Sequence, residues 1–187
     1  LSIFLITDFA FIFAHIISNF LPNKEFFYLQ NARGAAETFQ WLKLFWLSLI
    51  FTWLRIFSRF RFVFPLSIAS IILCIFDIKD IHNFGPPVFR ILYLSFLGFI
   101  LLLWIQFNIR KTNLIIEQDL IYGFRDLLFL FGFFVIIFDF IGELVGYISN
   151  SNLIYYNFLT FIEESGEMIS LSIIISFSLS KFVKRLQ

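Results

Sequence analysis

Charge is what this 187-residue sequence has least of: Asp, Glu, Lys and Arg together make up 14% of it, where a soluble domain carries about a quarter. That excludes an ordinary water-soluble domain, and the 60% of hydrophobic residues points to a membrane protein. The charge that exists is balanced, 14 Lys+Arg against 13 Asp+Glu, so no global field attracts nucleic acid or an acidic partner. A lone cysteine, Cys74, lies in an apolar run and excludes both an intrachain disulfide and a thiolate metal cage. Only two histidines occur, and His15 alone falls in a candidate span, which excludes a b-type haem held by two histidines of this chain. No Gly-x-Ser-x-Gly elbow, phosphate-cradling Gly-x-x-x-x-Gly-Lys or His-Glu-x-x-His is present, and no cofactor is named by the residues. The first stretch holds Asp8 and His15, with no basic n-region and no small-residue cleavage site. It is expected to be a first helix rather than a signal peptide. What the chain has in excess is phenylalanine, 31 residues, read here as lipid-facing filler.

A helix needs about 20 apolar residues to cross the hydrocarbon core, and six stretches qualify: 1–20, 37–57, 61–77, 88–107, 124–147 and 153–180. The expectation is therefore an all-α, polytopic transmembrane bundle forming a single domain. Short connections carry Leu21-Pro22-Asn23, Gly85-Pro86-Pro87 and Ser149-Asn150-Ser151-Asn152. Arg55, Arg59, Arg61, Arg110, Lys111, Lys181, Lys184 and Arg185 fall on one side, against Lys24, Arg33, Lys79 and Arg90 on the other. The positive-inside rule then puts both termini on the cytoplasmic or matrix face. The two halves show no convincing inverted repeat, and Gly142 with Gly146 forms a small-xxx-small packing pattern on the fifth span.

Polar residues inside these spans are costly, about 2.5–3.5 kcal/mol for a charge at a helix centre, and each needs a partner, water or a neutral form. Glu163, Glu164 and Glu167 share the last span near the midplane, Glu167 within one turn of both others. Asp139 and Glu143 are four apart on the fifth span, and Asp8 and His15 lie two turns apart on the first. One reading has these acids bridging to Arg33, Arg90 or Arg125 and positioning helices. The other gathers Asp8, His15, Asp139, Glu143, Glu163, Glu164 and Glu167 round a carboxylate-lined cavity that opens outward. In the outer connections, Glu37 suits the first turn of a helix by its charge. Asp80 and His82 are two apart in a loop, short of a metal site.

Three short elements, Glu37-Thr38-Phe39-Gln40, Asp80-Ile81-His82 and Glu163-Glu164-Ser165-Gly166-Glu167, resemble in order those of a loosely defined group of uncharacterised multi-pass bacterial inner-membrane proteins. The acid before Lys79 is displaced by one residue from that group's pattern, at Asp77. The resemblance implies a six-span fold in a bacterial inner membrane and the same polar positions, and it implies no activity. Phe-rich composition fits an organellar inner membrane as the alternative. Three functions are expected to compete: handling of protons, cations or small polar solutes through the acidic cavity; a structural or assembly subunit of a homo-oligomer or larger membrane complex; and a membrane-embedded enzyme acting on lipid, for which no nucleophile or metal set is evident. The bilayer is the partner common to all three.

Overall fold

In the computed structural model, residues 2–18, 35–58, 61–78, 87–111, 115–148 and 153–186 are described, and all of them are helical. Helix α1 is Ser2–Ser18 and α2 is Ala35–Ser58. A 3₁₀ turn, Arg61–Val63, leads into α3, Phe64–Ile78, and Pro65 fits there because the first turn of a helix has no intrahelical partner for the missing N–H. Helix α4, Pro87–Lys111, likewise begins on proline, and α2 carries Glu37 in its first turn, where the helix dipole favours an acid. Helix α5, Ile115–Gly132, runs into a π-helical segment, Phe133–Phe138, and on into α6, Asp139–Ile148. Helix α7, Leu153–Leu186, closes the chain.

Five of the six expected stretches match these rods within a few residues at the start. The fifth does not. It begins at Ile115, nine residues before the expected Phe124, because Glu117, Asp119 and the neighbouring charges interrupt the hydropathy without interrupting the helix. Leu120, Ile121 and Phe124 from this opening section are buried in the core, and that burial holds the extra turns in place.

The core is built by helical periodicity. Leu44, Leu47, Phe51 and Leu54 form one stripe of α2, and Leu101, Ile105 and Ile109 one stripe of α4; these pack with Leu171, Ile174 and Ile175 of α7. Contacts also fix helix direction. Ser48 meets Ser67 while the Trp41 carbonyl meets Cys74, so α2 and α3 are antiparallel. Asp8 meets Ser172 while His15 meets Phe161, so α1 and α7 are antiparallel. Lys43 reaches Met168 while Gln40 reaches Glu164, so α2 and α7 run parallel. The start of α1 therefore lies beside the later turns of α7.

Outward faces are apolar. Phe9 and Phe13 of α1, Trp46 and Phe57 of α2, Phe96 and Phe107 of α4, and Phe140 of α6 are all exposed, whereas serines and an ion pair lie inside. Two segments, Leu92–Ile109 and Leu120–Gly142, are long and apolar enough to cross a membrane; Ile3–Ile17 and Phe64–Phe76 are apolar but shorter.

Between α2 and α3 the buried Ser67 hydroxyl donates to the Ser48 carbonyl at 3.1 Å and lies 2.9 Å from the Thr52 hydroxyl. Such a bond in an apolar bundle is worth about 0.6–1.5 kcal/mol. Ser67→Ala is expected to lower unfolding free energy by that amount in a denaturant titration in mild detergent, and an unchanged midpoint would show that the hydroxyls contribute nothing.

Of the glycine pattern on the fifth rod, Gly142 is not a close approach between helices, and Gly146 lies outside the described side chains. A Cβ at Gly142 would meet nothing within 4 Å, whereas one at Gly123 would come within 2.5 Å of the Phe177 ring and one at Gly166 would overlap the Phe134 ring. Among the described glycines the two close approaches, at Gly123 and Gly166, are made by aromatic rings seated on them, a pairing that a small-xxx-small search does not seek.

Candidate functional site: a buried ion pair between three helices

Lys43 projects from α2 toward α1 and α7 and is completely buried, as is Asp8 of α1. Its ammonium lies 2.7 Å from Asp8 Oδ1, 2.7 Å from the Met168 carbonyl and 3.3 Å from Ser172 Oγ. An ammonium has three protons to donate, and all three are used. Asp8 is equally well held, since its second oxygen accepts from the Ser172 hydroxyl at 2.5 Å. Lys43, Asp8 and Ser172 thus close a ring, electrically neutral and fully hydrogen-bonded, in which each member contacts the other two. The Phe39 ring, with its centroid 4.9 Å from the ammonium, adds a cation–π contact. Low dielectric strengthens these charge-assisted bonds and makes the loss of any one of them expensive.

Local sequence explains the placement. Lys43 shares the inward side of α2 with Gln40, Leu44 and Leu47, all buried. Asp8 is the one buried polar side chain among the described residues of α1, between exposed Ile6 and Phe9. On α7 the buried serines 170, 172 and 178 are small enough to admit neighbouring helices closely. Ser170 and Ser178 return their own protons to the preceding turn, Ser170 to the Glu167 carbonyl at 3.0 Å and Ser178 to the Ile174 carbonyl at 2.7 Å.

One turn nearer the start of α2 is a second polar layer. Gln40 Nε2 donates to Glu164 Oε2 at 3.3 Å. Glu163, Glu164 and Glu167 are half-buried on α7. Between Glu164 and Glu167, Gly166 is capped by Phe134 of the π-helical segment. His15 stacks on Phe161, ring centroids 4.9 Å apart. Two buried polar atoms, Trp41 Nε1 and Ser165 Oγ, have no hydrogen-bond partner among the described residues; each belongs to a residue next in sequence to a member of the Gln40–Glu164 pair, and each is an atom that water would satisfy.

Of the residues singled out in the sequence, Asp8 is thus brought to the centre, and Glu164 and Glu167 lie within about a turn or two of it along α7. Glu163 and His15 are at the level of the second layer, and Glu37 is half-buried in the first turn of α2. Asp139 and Glu143 lie on α6, their side chains outside the described residues; Arg33, Asp80 and His82 lie wholly outside them. For two of these residues the expected pairing is different: Asp8 is paired by Lys43 rather than by an arginine, and Arg125 is paired with its neighbour Asp126 at 2.7 Å, while Arg33 and the Arg90 side chain lie outside the described residues. Adjacent residues of opposite charge at a partly exposed position satisfy each other without reaching across the bundle.

Lys43 is the residue that sequence reading passed over. Its signal was there: a lysine in the middle of the stretch Trp41-Leu42-Lys43-Leu44-Phe45, where a basic residue cannot set orientation because it is not in a loop. A cavity of about 600 Å³ also lies within the bundle, but its wall is apolar and contains none of Asp8, Glu163, Glu164 or Glu167. No group of three or more His, Cys, Asp or Glu side chains is arranged to hold a metal ion among the described residues. Comparison of the chain with protein-family models, curated proteins and solved structures finds no match.

Proposed function

We propose that this chain is a six-span integral membrane bundle that conducts or relays protons, or a small cation in their place, through the polar interior of α1, α2 and α7. The observation that carries this reading is the buried Lys43–Asp8–Ser172 ring standing one helical turn from the Gln40–Glu164 pair inside a bundle whose outer faces are apolar. Ionisable groups at such a position in lipid are expensive, and transport paths and proton relays are where they are found. Half-buried Glu163, Glu164 and Glu167 extend the polar region toward the membrane face where α1 ends and α2 and α7 begin. Asp139 and Glu143 of α6 are assigned to the same path, and the π-helical segment that precedes them is of a kind that recurs at functional sites. Both termini lie on the cytoplasmic face of a bacterial inner membrane, or the matrix face of an organellar one.

The apolar rods are long enough for this placement: α2 with 24 residues and α4 with 25 reach about 36 Å, against a hydrocarbon core of about 30 Å. Helix α1, at 17 residues, reaches about 26 Å and α3, at 15, about 23 Å, short of that core by an amount that local thinning of the bilayer takes up.

The test is flux. The purified chain is reconstituted in liposomes holding a pH-sensitive dye, and a potassium diffusion potential is imposed. Proton entry should exceed that of protein-free liposomes, and Glu163→Gln/Glu164→Gln/Glu167→Gln should reduce it by at least about tenfold while leaving the protein in the liposomes. Equal flux in that variant, or none in the parent with protons and with small cations, refutes the proposal; a stable co-purifying complex in the second case favours an assembly subunit.

A further inference from the structure

The apolar cavity has no part in the polar path and needs its own account. Its floor is formed by Leu44 and Leu47 of α2 and Leu171 and Ile174 of α7, all buried. Its mouth is different in kind. Phe99 of α4 and Phe129, Phe133 and Ile137 of the fifth rod line the cavity and are at the same time 59%, 56%, 49% and 44% exposed. These are mid-length positions of the two segments long and apolar enough to cross a membrane, so the opening leads sideways out of the bundle.

Two features keep it open. Gly98 and Gly132 leave room where side chains would stand, the nearest atom to either missing Cβ being Ile136 Cδ1 at 4.0 and 3.9 Å. The π-helical turn turns Phe134 onto Gly166 while Phe133 and Ile137 remain at the mouth. What would fill the space follows from its chemistry. At about 600 Å³ it is of ligand size. Ordered water needs two to four polar partners. The wall offers Ser70 and Ser95, and the Ser70 hydroxyl already donates to the Leu66 carbonyl at 2.9 Å. A hydrocarbon chain makes dispersion contacts throughout and asks for no hydrogen bond.

We propose that this cavity is a binding site for one acyl chain of a membrane phospholipid, which enters from the bilayer between α4 and the π-helical segment. The proposal rests on the membrane placement argued above and is independent of proton handling. Continuity supports it: the exposed faces of α4 and the fifth rod that would contact lipid are the same residues that form the mouth.

The experiment uses phosphatidylcholine vesicles containing a lipid with a diazirine midway along one acyl chain. After flotation and illumination, adducts are mapped by mass spectrometry. Adducts are expected to concentrate on Gly98, Phe99 and the segment Phe133–Ile137 over the exposed Ile6 and Phe9 of α1. Gly98→Leu, whose side chain takes the space of at least two methylenes, should reduce cavity labelling by about tenfold without changing that of α1. Uniform labelling of all outward faces in floated protein overturns the site while sparing the membrane reading. Failure to float overturns both. Floated protein that is labelled on α1 but carries no adducts at Gly98, Phe99 or Phe133–Ile137 rejects the acyl chain, and the parental labelling map decides the matter even if Gly98→Leu does not fold.

Discussion

Replacing Lys43 by methionine should lower the unfolding free energy by about 3–5 kcal/mol, the loss that follows when one partner of a buried ion pair is removed. Methionine nearly matches the lysine stem in volume, so packing changes little; the effect comes from Asp8, which keeps one donor, Ser172, and loses its counter-charge. The Met168 carbonyl loses its lysine proton too. Asp8→Asn should be destabilising in the same sense, because it leaves the ammonium buried and charged. The diagnostic is the double variant Asp8→Asn/Lys43→Met: with both charges gone, much of the loss should be recovered, giving a coupling of at least about 1–3 kcal/mol in the cycle. Unfolding in mild detergent, followed by tryptophan fluorescence against denaturant, reads all four proteins. Additive losses would mean that the two side chains stabilise the bundle separately and that the ring is not a unit.

A second large effect is expected at a residue with no side chain. Gly166→Ala puts a methyl group into the Phe134 ring, against its Cδ1, Cγ and Cε1 atoms. Since Cγ is the ring's attachment point, the ring cannot simply swing aside, and α7 must move away from the π-helical segment. Overpacking of this kind costs about 1–3 kcal/mol, outweighing the gain of up to about 1 kcal/mol that alanine brings to a helix interior. Gly123→Ala is the built-in comparison. Its methyl meets first the far end of the Phe177 ring, Cζ at 2.5 Å, which can tilt away, so the loss should be smaller. Phe134→Leu in the Gly166→Ala background should restore part of the stability. If Gly123→Ala proves the more damaging of the two, ring placement is not what sets the spacing of these helices. Because Gly166 stands between Glu164 and Glu167, the same variant should also disturb proton flux, which links the two experiments.

Where helices form among the described residues was legible in the sequence because each rod is an apolar run set off by Pro, Gly or polar residues. The start of α4 was read within one residue because proline marks it, at Pro87. The start of the fifth rod was misread, at Ile115, where the helix continues through charged residues. The acids were found because an acid in an apolar run is conspicuous. Asp8 was among them, yet its partner was sought among arginines near loops.

Composition and the period of the apolar residues by themselves determined the helices of the described residues and the scarcity of charge, and they marked the acids that stand in apolar runs, since each property depends on a residue and its near neighbours. Tertiary structure decided which charge neutralises which. Lys43 meets Asp8 from 35 positions away and Ser172 from 129, and no local pattern encodes contacts between helices that distant in the chain. Packing likewise decided that Phe134 would sit on Gly166 and that an apolar cavity would open beside it. The scarcity of charge thus takes its meaning from the fold: a lysine with no place in a loop or a terminus stands at the centre of the molecule.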